Sequence, residues 1–204
     1  MKEAYRHLTA AAEAKETAIG RLAEIIAILR VECPWDRVQT HESLRAGMLE
    51  EAYEVVEAID NKDLANLREE LGDVLLQVVF HAHIEEERGG FDLTDVINEE
   101  CEKMIRRHPH VFLEESENNH AKSIDKVLEK WENIKVQERG DKRVTSRMEK
   151  VPKALPALTR ANKIQKRAAE SGFDWDDISG AFDKVKEEYR EVISCCQDEN
   201  KDAA

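Results

Sequence analysis

The stretch from about residue 49 to residue 83 constrains this chain more than any other, because it reads as two amphipathic helices joined by a short polar turn. Apolar side chains recur at helical spacing in each half and form one stripe per helix. The two stripes consist of Met48, Ala52, Val55, Val56 and Ile59 in the first half, and of Leu67, Leu71, Val74, Leu75, Val78 and Ala82 in the second. Asp60, Asn61 and Lys62 favour a turn, and Asp63 suits the N-cap of the second helix. The sequence therefore predicts an antiparallel helical hairpin in an all-α bundle, with both stripes facing a core.

Each half of the hairpin carries two carboxylates three residues apart. Glu51 and Glu54 lie in the first helix, and Glu70 and Asp73 lie in the second. At about 100° per residue, both pairs fall beside the apolar stripe of their helix and on the same edge of it. Antiparallel packing would therefore bring four carboxylates together between the two helices.

Four carboxylates beside a core cannot all ionise without a cation. Hard oxygen ligands on helices suit Mg²⁺, with Mn²⁺ as a substitute. A Mg²⁺ ion held by carboxylates usually keeps several waters and meets a substrate phosphate. One such pair on its own is most often part of a solvated acidic face, since this spacing is common on surface helices. Two pairs at matched positions of one hairpin favour a metal site.

The residues around the hairpin extend this pattern into a family resemblance. Glu50-Glu51-x-x-Glu54 followed by Glu70-x-x-Asp73 resembles the paired signature of the all-α nucleoside triphosphate pyrophosphohydrolases. The flanking segments are similar to those of the MazG family within that group. These segments are Cys33-Pro34-Trp35-Asp36, Arg106-Arg107-His108-Pro109-His110-Val111-Phe112, Leu155-Pro156-Ala157-Leu158 and Lys163-Ile164-Gln165-Lys166. The resemblance covers nearly the whole chain from about residue 20.

The resemblance implies hydrolysis of an NTP or dNTP between its α- and β-phosphates, giving a monophosphate and pyrophosphate. It implies that Glu51, Glu54, Glu70 and Asp73 hold Mg²⁺. Glu50 or Glu69 would orient or deprotonate the attacking water, and the residues leave that choice open. Two rival functions also stay open: a relative with a narrower substrate, such as a deoxynucleotide or phosphoribosyl-ATP pyrophosphohydrolase, and a non-catalytic regulatory or assembly protein that has kept the fold.

The resemblance also assigns residues that bind substrate. Lys103, Arg106 and Arg107 form a basic cluster at the end of a predicted helix, where cations also complement the helix dipole. The family match favours these side chains, with Lys135, as phosphate contacts. By the same match, Trp131 packs near the base and Trp35 helps to close the nucleotide pocket. The alternative for each tryptophan is a place against a core.

The chain is predicted to have two parts. Residues 1–139 form the catalytic helical domain, residues 140–152 a charged linker, and residues 153–204 an incomplete second repeat. In the repeat, Trp175 corresponds to Trp35, and the pair Glu188 and Glu191 corresponds to Glu51 and Glu54. Because no second hairpin helix follows it, activity is expected from the first part. A hairpin with one open face rarely stands alone, so a homodimer that completes the bundle is expected.

Composition excludes two kinds of partner and suggests a location. The net charge of −13 argues against binding to a nucleic-acid polymer, since phosphate backbones recruit Lys and Arg. No apolar run approaches the roughly 18 residues of a membrane span. The first residues, MKEAYRHLTAAAEAKE, are too charged for a signal peptide. We therefore expect a cytoplasmic protein whose ligands are nucleoside triphosphates.

Overall fold

The computed structural model describes residues 2–112, 123–138 and 148–199, apart from the side chains of 125, 129, 132, 133, 135, 136 and 197–199. The chain divides into two compact units, Met1–Glu114 and Glu115–Ala204. Every regular element in the described ranges is helical, which confirms the predicted all-α class. The predicted boundaries at residues 139 and 152 stay a prediction, because residues 139–147 lie outside the described ranges.

The first unit contains five α-helices and two short 3₁₀ segments, Glu3–Thr9 and Asp36–Val38. The α-helices are α1 (Lys15–Glu32), α2 (His41–Asn61), α3 (Leu64–Glu87), α4 (Leu93–Arg107) and the short α5 (Pro109–Phe112). The core of this unit lies where α1, α2 and the second half of α3 meet. It consists of Ile26, Leu44, Val79, Phe80 and Ile84.

Helices α2 and α3 form the hairpin, and local chemistry fixes where each begins. Thr40 Oγ1 accepts a hydrogen bond from the backbone N–H of Ser43 at 3.2 Å, and Ser43 Oγ accepts one from the backbone N–H of Thr40 at 2.9 Å, which makes a capping box. Asp63 Oδ1 accepts from the N–H groups of Ala65 and Asn66 at 3.0 and 3.1 Å. Lys62 ends α2 in the left-handed region with φ 56°. The chain therefore reverses over two residues, and α3 runs back along α2.

Part of the predicted inward stripe faces outward in the single chain. Val56 and Ile59 on α2, and Leu71 and Leu75 on α3, are between 42% and 54% exposed. Leu49, Tyr53 and Leu64 are exposed as well. These residues face outward because α1 packs against the other side of the hairpin. We call the seven side chains the outer apolar face.

Buried Arg30 fixes the loop between α1 and α2, which carries Trp35. Its Nη1 donates to the carbonyl oxygens of Asp36 at 2.7 Å and Gln39 at 2.9 Å. Its Nε donates to Glu87 Oε1 at 2.9 Å, and its Nη2 donates to the other oxygen of the same carboxylate at 2.5 Å. Gln39 Nε2 donates in turn to the Trp35 carbonyl oxygen at 3.0 Å. This network ties the loop to the end of α3, and we call it the Arg30 network.

The second unit contains α6 (Ile124–Glu138), α7 (Ala157–Ala169) and α8 (Ile178–Glu199). Among its described residues, the buried side chains are Val151 and Ala168. Trp175 packs so closely on Gly180 that a Cβ there would lie 2.3 Å from the indole, so this position requires glycine. The α8 helix leaves an apolar row exposed, which includes Phe182, Val185 and Tyr189.

Candidate metal centre

Three of the four predicted ligands meet between α2 and α3. Glu51 from α2, and Glu70 and Asp73 from α3, each present an oxygen atom, and these atoms lie within 4.8 Å of one another. All three residues are half-buried. Small rotations of the side chains would bring the oxygens to the closer spacing that ligands of one hard cation adopt.

Glu54, the fourth predicted ligand, lies against this group. Its carboxyl group lies within hydrogen-bonding reach of Glu51 and Glu70. Burial raises the pKa of Glu51, and hydrogen bonding with Glu54 and the charge of Asp73 raise it further. The pKa of Glu70 is also raised, first by burial and then by the charges of Glu54 and Asp73. Carboxylates crowded in this way favour a divalent cation, which stabilises their ionised forms.

The donor set therefore fits the predicted metal. It consists of carboxylate oxygens on two helices held in fixed register, which is the chemistry that Mg²⁺ and Mn²⁺ select. Glu50 and Glu69 are exposed and lie next in sequence to Glu51 and Glu70. Neither belongs to the group of converging oxygens, and the assignment of one of them to the attacking water stays a prediction.

The basic cluster lies in the last turns of α4. Lys103 is half-buried and forms an ion pair with Glu100 one turn earlier. Arg106 is exposed and Arg107 half-buried. A role in holding phosphates stays a prediction for all three.

The predicted aromatic contacts lie in different units. Trp35, in the first unit, is 63% exposed, so its ring is open to a ligand and does not plug the core. Trp131 and Lys135 lie on α6 in the second unit, where Trp131 is half-buried and the Lys135 side chain is outside the described atoms. Their roles in binding the base and the phosphates stay predictions.

The seam between α2 and α3 continues beyond the acidic group in polar residues that were not assigned to the site. His41 and His81 stack with their Nδ1 atoms 2.7 Å apart, and His41 Nε2 lies 2.7 Å from Glu85 Oε1. Burial and the charge of His41 lower the pKa of His81. Between this pair and the acidic group lies Gln77, which faces Gly47. In the sequence, Gln77 follows Asp73 by four residues, and His81 follows Gln77 by four. This helical spacing was the signal that Gln77 and His81 continue the acidic edge of α3.

Comparison with known families matches this hairpin and its flanks. A family model described as the MazG nucleotide pyrophosphohydrolase domain matches residues 39–112. That range contains α2, α3 and α4, and therefore all four predicted metal ligands.

Two curated relatives match most of this chain. A nucleoside triphosphate pyrophosphohydrolase/pyrophosphatase MazG of Thermotoga maritima is 49% identical over 160 residues, which are 78% of this chain and 59% of the relative. A nucleoside triphosphate pyrophosphohydrolase of Escherichia coli is 46% identical over 178 residues, which are 86% of this chain and 66% of the relative. The chain thus spans less than two thirds of the length of these relatives.

Among solved structures, the crystal structure of a mazG-related protein from Thermotoga maritima is 34% identical. The match covers 57% of this chain and 97% of that one, with a TM-score of 0.48. None of the described helices is long and apolar enough to cross a membrane.

Proposed function

We propose that this chain, which belongs to the MazG family, hydrolyses nucleoside triphosphates between the α- and β-phosphates and releases a monophosphate and pyrophosphate. The observation that carries the proposal is the meeting of Glu51, Glu70 and Asp73 within 4.8 Å, with Glu54 hydrogen-bonded beside them. The family match over residues 39–112 and the names of the relatives support the reaction.

In this proposal Glu51, Glu54, Glu70 and Asp73 hold Mg²⁺, or Mn²⁺ in its place. The bound cation would neutralise the charge that develops on the phosphates during cleavage. The carboxylates would bind the cation in their ionised forms, which its charge stabilises. Glu50 or Glu69, each exposed beside a ligand, accepts the proton of the attacking water.

The substrate in this proposal is held by the basic and aromatic side chains. Lys103 and Arg107, assisted by Arg106, orient the phosphates from α4, and Lys135 adds a further cation from α6. Trp35 offers an exposed ring for stacking on the base, and Trp131 offers a second apolar surface. Orienting the phosphates in this way lowers the barrier because less freedom is lost in the transition state.

We also propose that two copies pair through the outer apolar face. The seven side chains on this face belong to the two helices that carry the metal ligands. Burying them against a second copy would remove apolar surface from water and would fix the hairpin at the same time.

The activity is tested by measuring pyrophosphate release from a panel of ribo- and deoxynucleoside triphosphates with and without Mg²⁺. We expect metal-dependent release of pyrophosphate and monophosphate, and its loss in Glu54→Ala with the helical content unchanged. Glu57→Ala is the matched control, because it removes an exposed carboxylate of the same helix outside the metal site. Release of single phosphate would place cleavage at the γ position and contradict the proposal, as would full activity in Glu54→Ala.

A further inference from the structure

The seam between α2 and α3 is built in layers because the two antiparallel helices keep one register. Glu51 lies opposite Asp73 in the acidic layer. One turn away, Gly47 lies opposite Gln77. Gln77 follows Asp73 by four residues, so the two side chains are neighbours on the same face of α3. The Gln77 amide therefore occupies the layer next to the candidate metal centre.

Gln77 is in an unusual state for a buried side chain. The residue is 9% exposed. Its Oε1 is shielded from solvent and has no hydrogen-bond partner among the described residues. Leaving a buried acceptor unsatisfied is unfavourable, and groups of this kind in native proteins call for an explanation such as a functional role or a missing water or ion.

Gly47 leaves the space that the Gln77 amide occupies. A Cβ at position 47 would lie 3.0 Å from Gln77 Nε2, closer than such contacts normally come. The pairing of glycine with a buried amide thus puts a neutral polar group beside three carboxylates where an apolar side chain could pack instead. A neutral group adds hydrogen-bonding capacity without adding to the repulsion between the carboxylates.

We propose that Gln77 is a positioning residue of the cation site, whose Oε1 accepts a hydrogen bond from a water that the cation brings into the seam. Mg²⁺ usually keeps several of its waters when carboxylates bind it, and the protons of those waters need acceptors. Oε1 is shielded from the surrounding solvent and lacks a partner, and a water held by the cation would supply one. The side-chain torsions of glutamine let the amide turn toward Asp73. This inference rests on the proposed metal site.

We expect Gln77→Leu to weaken cation binding without lowering the stability of the metal-free protein. Leucine has a similar size and removes the unsatisfied acceptor, so the metal-free protein should keep or raise its unfolding temperature. Affinity for Mn²⁺ should fall roughly three- to tenfold, the range expected for loss of one hydrogen bond. A merely structural glutamine would give the opposite result, with lower stability and unchanged affinity.

The experiment is a calorimetric titration of the full chain with Mn²⁺, together with thermal unfolding of the metal-free protein. Gly47→Ala serves as a second variant, because its added carbon displaces Gln77 Nε2, and it should also weaken Mn²⁺ binding. Gln165→Leu makes the same chemical change at an exposed position of α7 and should alter neither measurement. Asp73→Asn should abolish binding.

The outcomes separate the inference from the function on which it rests. Weaker binding in Gln77→Leu with undiminished stability supports the role of Gln77. Unchanged binding in Gln77→Leu, when Asp73→Asn binds no Mn²⁺, overturns that role and leaves the metal site intact. Unchanged Mn²⁺ binding in both Gln77→Leu and Asp73→Asn overturns the metal site as well. Unfolding or marked destabilisation of metal-free Gln77→Leu contradicts the inference, because it identifies the amide as structural.

Discussion

At the scale of single residues, the carboxylates of the hairpin determine how the protein responds to pH. Burial, shared hydrogen bonds and mutual repulsion raise the pKa of both Glu51 and Glu70 in the folded chain. Their protonated forms are therefore favoured in the folded state more than in the unfolded one. The folded state binds more protons between the unfolded pKa, near 4.3 for glutamate, and the raised folded value.

The contribution of these two residues to the stability of the metal-free protein should consequently fall as pH rises through their folded pKa values. Mg²⁺ should restore stability at neutral pH, because it binds the ionised carboxylates of the folded state. Glu51→Gln removes one of the crowded charges, so its metal-free form should unfold at a higher temperature than the wild type at pH 7 and gain less from Mg²⁺. Thermal unfolding between pH 4 and pH 8, with and without Mg²⁺, measures all of these effects.

Glu57→Gln is the matched control for this prediction, because Glu57 is exposed on the same helix and outside the acidic group. It should follow the wild type at every pH. The raised pKa of Glu51 would be contradicted if the stability gained in metal-free Glu51→Gln over the wild type did not grow as pH rises.

At the scale of elements, the Arg30 network holds the Trp35 loop on α1 and α3. Arg30→Gln removes the ion pair with Glu87 and weakens the bonds to the Asp36 and Gln39 carbonyl oxygens. Arg30 is buried but the Glu87 side chain is 37% exposed, so the change should cost about 1–2 kcal/mol. The urea midpoint should fall, and the amides of residues 33–40 should exchange faster. Urea unfolding and hydrogen exchange measure the two effects.

Arg37→Gln provides the comparison for the Arg30 network. Arg37 is exposed in the same loop, and its replacement should change stability by no more than about 0.5 kcal/mol. Equal, small losses in the two variants would show that the network does not fix the loop.

Prediction from the sequence succeeded where the signal was local and periodic. The cap at Asp63 depends on residues within one turn, and the structure has it. The spacing of the carboxylate pairs is also local, and Glu51, Glu70 and Asp73 converge between the two helices. The Arg30–Glu87 pair joins residues that are 57 positions apart, and no local pattern indicates such a contact. The exposure of Val56 likewise depends on which side of the hairpin α1 covers, which periodicity alone does not decide.

At the scale of the whole molecule, the outer apolar face predicts self-association. Val56→Lys on α2 should shift the protein toward monomer, because a charge placed between two packed hairpins would lose its water. Ala161→Lys adds the same charge at an exposed position of α7 and should leave association unchanged. Sedimentation velocity over a range of protein concentrations distinguishes the two.

A wild-type protein that sediments as a monomer at every concentration would contradict the proposed pairing. An unchanged dimer in Val56→Lys would show that the copies associate through another surface. Neither result would test the metal site. In either case, a different contact would have to bury the outer apolar face.

The central claim is that the α2–α3 hairpin binds the cation on which pyrophosphate release depends. The most direct measurement is a crystal structure of the full chain with Mn²⁺ and a nucleotide whose α,β-bridge is a methylene group, using anomalous scattering to locate the metal. We predict an anomalous peak bounded by Glu51, Glu54, Glu70 and Asp73, with nucleotide phosphate beside it. A metal bound elsewhere, with no anomalous peak among these carboxylates, would contradict the account.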